Sequence, residues 1–133
     1  MSAWPIFGNR RKKILSIDDD ILIHALISDV FEAAGYEVLS ANDGASGCAL
    51  AKKERPDLIF LDVRMPGLNG FQTLDLLKAS PETKDIPVIM STAEQRGADI
   101  EDAFKLGAVD YIIKPLELDR LREKVSKFLP PAA

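Results

Sequence analysis

The stretch Leu58–Asp62 limits the possible fold more than any other part of this sequence. Four apolar residues run directly into one carboxylate, and a turn-forming segment, residues 63–67, follows at once. A short apolar run bounded by turn residues is typical of a strand buried on both faces, as in a parallel sheet. Asp62 would then lie at the carboxyl end of a central strand, the edge where open α/β sheets bind their ligands.

Four further strands and five helices are predicted from apolar spacing and from turn residues. The strands are expected at 14–17, 36–39, 58–62, 88–90 (reaching 91–92) and 109–113. The first helix carries an apolar stripe from Ile23 to Ala34, and the others are expected at 44–54, 70–79, 98–106 and 117–129. Gly47 should weaken the second helix by roughly 1 kcal/mol relative to alanine. Strict alternation predicts an α/β fold, a doubly wound five-stranded parallel sheet flanked by five helices.

Length and composition predict one globular domain at 12–129, with tails at 1–11 and 130–133. The 133 residues are 47% hydrophobic and 29% charged, and the net charge of −4 argues against nucleic-acid binding through a basic surface. A single cysteine, Cys48, excludes an internal disulfide and suits a reducing cytosol. No apolar run reaches the ~20 residues of a membrane span, and no signal peptide is visible. We therefore expect a cytoplasmic protein that binds no membrane.

The N-terminal tail has two interpretations. It shows no apolar period, which favours a segment that packs loosely or stays mobile. Alternatively it is a docking segment, in which Trp4 and Phe7 are apolar anchors beside the charges of residues 10–13.

Polar residues of a definite kind follow four of the five predicted strands. These residues are Asp18, Asp19, Asp20, Asp62, Thr92 and Lys114. Because the ends of parallel strands meet at one edge of the sheet, we expect these groups to share one crevice. Crowded carboxylates repel one another, and a hard divalent cation relieves that repulsion. Carboxylates, a lysine and a hydroxyl together suit a phosphoryl group, and a carboxylate can itself form an aspartyl-phosphate.

Structural roles compete with these functional ones. Asp20 is expected to cap the first helix, but capping uses one aspartate and leaves Asp18 and Asp19 unexplained. Thr92 or Lys114 alone would more often be structural than functional. His24, the only histidine, lies off the apolar stripe of the first helix and is predicted to be a solvated residue without a function.

Four segments together resemble the receiver domain of two-component response regulators, most of all its stand-alone chemotaxis type. They are residues 13–19, 56–67, 87–93 and 107–115, and the resemblance covers residues 12–129. It implies a flavodoxin-like (βα)5 fold with strand order 2-1-3-4-5. It also implies a phosphoprotein of the cytoplasm that receives its phosphoryl group from a histidine kinase or a histidine phosphotransfer protein. Such a protein catalyses only its own phosphorylation and dephosphorylation and is otherwise not an enzyme.

The resemblance implies a role for each matching residue of the crevice. Asp62 would accept the phosphoryl group, Thr92 would donate a hydrogen bond to it, and Lys114 would pair first with Asp62 and then with the phosphoryl group. Mg²⁺ (or Mn²⁺) would be held by the side chains of Asp18, Asp19 and Asp62. The backbone carbonyl of Arg64 would be a further ligand. The peptide bond between Lys114 and Pro115 is expected to be cis.

Three more residues acquire expected roles from the same resemblance. Tyr111 matches the switch aromatic, whose inward turn would change the surface of helix 4, strand 5 and helix 5, where an unidentified downstream protein would bind. A static, half-buried aromatic is the alternative. Arg64 and Glu94 flank the phosphorylation site, and their opposite charges would pair across its mouth and lengthen the phosphorylated state. The protein would be a monomer or a weak homodimer.

Other classes of protein share parts of this pattern. A haloacid-dehalogenase-like phosphatase would use an Asp-x-Asp pair, which Asp18 and Asp20 satisfy, but it would leave Asp62 idle. A flavin-binding module would need a hydroxyl- and glycine-rich phosphate loop where the acidic triplet stands. A receiver detached from a larger protein would keep the fold, with its output elsewhere.

Overall fold

A computed structural model describes residues 11–93 and 97–130, without the side chain of Ala98. Within these residues strands and helices alternate strictly, as the apolar spacing predicts. The elements in chain order are β1 (Lys13–Ile17), α1 (Ile21–Ala33), β2 (Glu37–Ala41), α2 (Gly44–Glu54), β3 (Leu58–Asp62), α3 (Gly70–Ala79), β4 (Val88–Thr92), α4 (Gly97–Lys105), β5 (Asp110–Ile113) and α5 (Leu118–Phe128). The predicted docking anchors Trp4 and Phe7 lie outside the described residues.

The five strands form one parallel sheet in the order β2-β1-β3-β4-β5. This confirms the doubly wound fold and the strand order. The central strand β3 is buried along its whole length, including Asp62 at its end. The peptide bond between Lys114 and Pro115 is cis, as expected.

Successive residues of the strands point to opposite faces of the sheet and build two separate cores. Leu58 and Phe60 pack with α1 and α5, whereas Ile59 and Leu61 pack with α2, α3 and α4. Cys48 packs half-buried against the second of these cores, as a small apolar group would. No helix within the described ranges is long and apolar enough to cross a membrane.

Side-chain caps explain where several helices begin. Asp20 accepts a hydrogen bond from the Leu22 backbone N–H at 2.9 Å, which confirms its predicted capping role. Asn69 and Gln72 form a reciprocal capping box at the start of α3. These caps place α1 and α3 directly after β1 and after the loop that follows β3. They therefore fix the two loops that surround the sheet edge carrying Asp62.

Several predicted boundaries move by one or two residues. β2 runs to Ala41 rather than to Leu39, because Ser40 and Ala41 continue the ladder opposite Ser16 and Ile17. Arg11, assigned to the tail from the sequence, donates hydrogen bonds to the backbone oxygens of Gly35 and Tyr36 at 3.3 and 2.7 Å.

Candidate functional site

The carboxyl ends of β1, β3, β4 and β5 open into one crevice. Its walls include residues from four strand ends, with Ala93 at the end of β4, and from the start of α1: Asp19, Asp20, Ile21, Asp62, Arg64, Ala93 and Lys114. The sheet order is the cause, because β3 lies between β1 and β4 and brings Asp62 beside the ends of both neighbours. The Asp62 backbone is paired with Ser91, one residue before Thr92.

Lys114 connects two of the carboxylates. Its Nζ lies 3.0 Å from Asp18 Oδ2 and 3.3 Å from Asp62 Oδ1. Its backbone N–H donates to the Thr92 carbonyl oxygen at 2.7 Å, which fixes the end of β5 against β4. Burial lowers the pKa of Lys114, but the Asp18 and Asp62 carboxylates outweigh burial, so its pKa is raised. The ammonium group therefore stays charged between the two acids.

Asp62 is held in an environment that disfavours its charge. The residue is only 4% exposed, and its Oδ1 accepts a hydrogen bond from the Arg64 backbone N–H at 3.3 Å. Burial first, and the neighbouring Asp18 carboxylate second, raise the pKa of Asp62 to about 6, against the opposing effect of Lys114. A carboxyl group with this pKa is mostly ionised at neutral pH. Any further positive charge nearby would stabilise its ionised form.

Three carboxylates converge closely enough to bind one metal ion. Asp18, Asp19 and Asp62 each offer an oxygen within 4.8 Å of the others. Asp18 is 1% exposed, and its Oδ2 has no hydrogen-bond partner among the described residues, although it lies 3.0 Å from the Lys114 ammonium. The Lys114 ammonium partly satisfies this buried oxygen, but three crowded carboxylates leave negative charge that a further cation would balance. The oxygen-only donor set fits a hard divalent cation such as Mg²⁺.

Asp20 differs from its two neighbours. It is exposed, and one of its oxygens is already engaged by the Leu22 N–H at the start of α1. An Asp-x-Asp phosphatase would need this residue as a functional partner of Asp18 in the crevice. The buried Asp62, which that alternative leaves idle, is instead the carboxylate closest to Lys114 after Asp18. Although Asp20 also lines the crevice, the described residues of the site give no support to the phosphatase alternative.

Tyr111 lies on β5, away from the crevice, on the surface shared with α4 and α5. Its half-buried ring meets the ring of Phe104 edge to face, with centroids 6.0 Å apart. On α5, Lys124 places its Nζ 5.2 Å from the Tyr111 ring centroid and 2.9 Å from Asp110 Oδ1. These contacts define one arrangement of the ring, and its predicted role as a switch stays a prediction.

Thr92 ends β4 and is buried, at 3% exposure. Arg64 is exposed at the crevice rim, while its backbone N–H is engaged by Asp62. The predicted partner of its side chain, Glu94, lies outside the described residues. The charge pair across the mouth therefore stays a prediction.

Gly70, the first residue of α3, is part of the site, although no pattern in the sequence indicated this role. Its backbone N–H donates to the Val63 oxygen at 2.9 Å. A Cβ at this position would lie 2.3 Å from the Asp62 backbone oxygen and 2.7 Å from Val63 Cα. Only glycine lets the helix approach the end of β3 so closely. The capping box at Asn69 marks the helix start in the sequence, but it does not show what the helix touches.

The prediction that His24 is solvated is wrong. The residue is only 8% exposed, and its ring lies behind the acidic loop. Its Nδ1 is 2.9 Å from Ser16 Oγ, and its Nε2 is 2.8 Å from the Asp18 backbone oxygen and 3.1 Å from Asn42 Oδ1. The apolar stripe of α1 could not reveal this, because the three partners come from other segments of the chain.

Comparison with known proteins identifies a family over most of the chain. Residues 14–126 match the family described as the response regulator receiver domain. The chain is 37% identical over 119 residues to sporulation initiation phosphotransferase F of Bacillus subtilis, covering 90% of this chain and 94% of that protein. It is 42% identical over 117 residues to the DNA-binding dual master transcriptional regulator RpaA of Synechocystis, covering 88% of this chain but 48% of that protein.

Solved structures agree with the sequence comparison. The chemotaxis protein CheY4 of Vibrio cholerae superimposes with a TM-score of 0.86 at 32% identity, covering 90% of this chain and all of that one. The chain thus spans nearly the whole length of some relatives and about half of others.

Proposed function

This chain belongs to the response regulator receiver domain family, and on that premise we propose that Asp62 accepts a phosphoryl group from a histidine kinase or a histidine phosphotransfer protein. One observation carries the proposal. Asp62 ends the central strand inside a crevice that also holds two other carboxylates and the Lys114 ammonium. Phosphoryl transfer depends mostly on positioning and charge neutralisation, and the crevice supplies both.

The residues of the crevice divide the work of the transfer. An Asp62 carboxylate oxygen forms the new bond to phosphorus while the bond from phosphorus to the donor's histidine nitrogen breaks, and that nitrogen keeps the bonding electron pair. Lys114, 3.3 Å from Asp62 Oδ1, then pairs with the phosphoryl oxygens. The Thr92 hydroxyl donates a hydrogen bond to one of them. Outside this self-phosphorylation and the later hydrolysis, the chain catalyses nothing on this proposal.

A divalent cation completes the charge balance of the site. The carboxylates of Asp18, Asp19 and Asp62 and the backbone carbonyl of Arg64 would hold Mg²⁺ or Mn²⁺. When bound, the ion neutralises the negative charge of the carboxylates and of the phosphoryl group. The crowding of three carboxylates around one lysine, and the raised pKa of Asp62, to which the Asp18 carboxylate contributes, both support a cation at this position.

The donor protein meets the chain at the start of α1. Ile21 and Leu22 are 70% and 73% exposed, and Ile21 is part of the crevice wall. A donor that brings a phosphohistidine to Asp62 has to pass this apolar edge. Adjacent exposed apolar residues at such a position are typical of a contact surface.

Output passes through a second surface, formed by α4, β5 and α5. On this proposal Thr92 moves toward the phosphoryl group, Tyr111 turns inward from its contact with Phe104, and an unidentified downstream protein reads the altered surface. Arg64 and Glu94 set the lifetime of the phosphorylated state by shielding Asp62 from water.

Incubation with acetyl phosphate and Mg²⁺ tests the proposal. We expect one hydroxylamine-labile adduct per chain, which is absent in Asp62→Asn and retained in the matched control Asp20→Asn. Retention of the adduct in Asp62→Asn, with turnover of small phosphoesters by the wild type that depends on Asp18, would support the phosphatase alternative and refute the proposal.

A further inference from the structure

His24 is a buried polar side chain behind the crevice that the proposed transfer does not use. It lies on the second turn of α1, and both of its ring nitrogens are within hydrogen-bond distance of oxygens. These oxygens belong to β1, to the loop after β1 and to the loop after β2. The ring therefore connects three segments that meet directly beneath the acidic cluster.

The chemistry of the partners fixes the direction of the main contact. Nε2 faces the Asp18 backbone oxygen, which can only accept, so Nε2 carries a proton and donates it at 2.8 Å. Nδ1 pairs with the Ser16 hydroxyl, which can donate or accept. With both nitrogens engaged and the ring buried, His24 is not available to carry a phosphoryl group.

This contact completes the restraint on the Asp18 backbone. The Asp18 N–H donates to the Ala41 oxygen at 3.1 Å, and the Asp18 carbonyl accepts from His24. Oδ1 of the same residue accepts from the Asp20 N–H at 2.9 Å. With these three hydrogen bonds in place, Oδ2 is directed toward the cluster and pairs with the Lys114 ammonium at 3.0 Å.

We propose that His24 is a positioning residue of the divalent-cation site, which orients the Asp18 carboxylate through the hydrogen bond from Nε2 to the Asp18 carbonyl. The inference rests on the proposed function, because it assigns His24 a role in the same cation site. Groups that orient metal ligands without touching the metal typically change metal affinity 10–100-fold when removed. His24 acts through the backbone of its ligand, so we expect a loss of roughly tenfold, the low end of that range.

Two substitutions separate the two ring nitrogens. The amide nitrogen of His24→Gln can reach the position of Nε2 and keep the bond to Asp18. The shorter His24→Asn can reach only the position of Nδ1 and keeps the bond to Ser16. Ser16→Ala is the matched control, because it removes the Nδ1 partner and leaves the Asp18 contact intact. Calorimetric titration with Mg²⁺ alone measures the affinity of each variant at a temperature where all are folded.

We expect wild type, His24→Gln and Ser16→Ala to bind Mg²⁺ within about threefold of one another, and His24→Asn to bind roughly tenfold more weakly. The amide resonance of Asp19, whose N–H shares a peptide group with the Asp18 carbonyl, should shift in metal-free His24→Asn but little in His24→Gln. If His24→Asn does not fold, His24→Leu, which fills the space without a donor, takes its place.

The possible failures are distinct. Equal Mg²⁺ affinity in all variants, with normal binding by the wild type, would overturn the positioning role and leave the proposed function intact. Equal losses in His24→Gln and His24→Asn would also overturn it, because the Nε2 contact would then not be the decisive one. A wild-type protein that binds no Mg²⁺ would overturn the cation site itself and this inference with it.

Discussion

Substitution of Gly70 by alanine should displace Asp62, the proposed phosphoryl acceptor, without touching any of the charged groups around it. The added Cβ would lie 2.3 Å from the Asp62 backbone oxygen, whereas ordinary contact begins at 3.4 Å, so either α3 or the end of β3 has to move by about 1 Å. Its second neighbour at 2.7 Å, Val63 Cα, is also backbone, so no flexible side chain can absorb the overlap. Forced overpacking of this kind costs about 1–3 kcal/mol of stability. A 1 Å error at a reacting group can reduce its rate by ~100-fold.

We therefore expect Gly70→Ala to be phosphorylated by acetyl phosphate roughly 10–100 times more slowly than wild type, while still unfolding cooperatively. Gly97→Ala is the matched control, since Gly97 also begins a helix but a Cβ there meets nothing within 4 Å. Rates should be measured by quenched-flow or by the mass of the intact protein, and stabilities by urea titration. A Gly70→Ala protein with the wild-type rate would refute the claim that this close approach positions Asp62.

Three further substitutions test separate parts of the site. The pKa of Asp62 in the folded protein, about 6, lies above its ordinary value of 3.8, so ionisation of Asp62 lowers the free energy of unfolding as the pH rises between these values. Without Mg²⁺, Asp62→Asn should therefore be about 1–2 kcal/mol more stable than wild type at pH 7 and show no such gain near pH 4. Urea titration at both pH values measures the difference. Arg64→Ala should dephosphorylate several-fold faster than wild type, as measured by the rate at which the hydroxylamine-labile adduct disappears. An unaltered rate would show that Arg64 does not shield Asp62 from water. Tyr111→Ala should be phosphorylated normally but lose the phosphorylation-dependent NMR shifts on α4 and α5, whereas retained shifts would argue against the switch.

The fold could be predicted from the sequence because its main signals are local. Continuous apolar runs mark buried parallel strands, and the stripe on α1 marks its packed face, so the number, type and order of the elements follow from the chain alone. Boundaries are less certain because non-local pairing decides them. Ser40 and Ala41 have no apolar signature, yet they belong to β2 because β1 offers them a ladder.

The grouping of acidic and basic residues in the crevice was predictable for a similar reason. Each polar residue stands at the end of a strand or directly after it, and parallel strands bring such positions to one edge. The roles of His24, Gly70 and Gly47 could not be predicted from the sequence, because these roles come from contacts between distant segments of the chain. Gly47, for example, weakens α2 locally but lets it approach Ile17, whose Cδ1 would lie 2.5 Å from an added Cβ.

Locating the phosphoryl group on the chain tests the central claim most directly. The protein is phosphorylated with acetyl phosphate and Mg²⁺, reduced with borohydride, which converts an aspartyl-phosphate to homoserine, and mapped by peptide mass spectrometry. The account predicts homoserine at position 62 alone. Homoserine at position 18 or 20, with Asp62 unmodified, would contradict it.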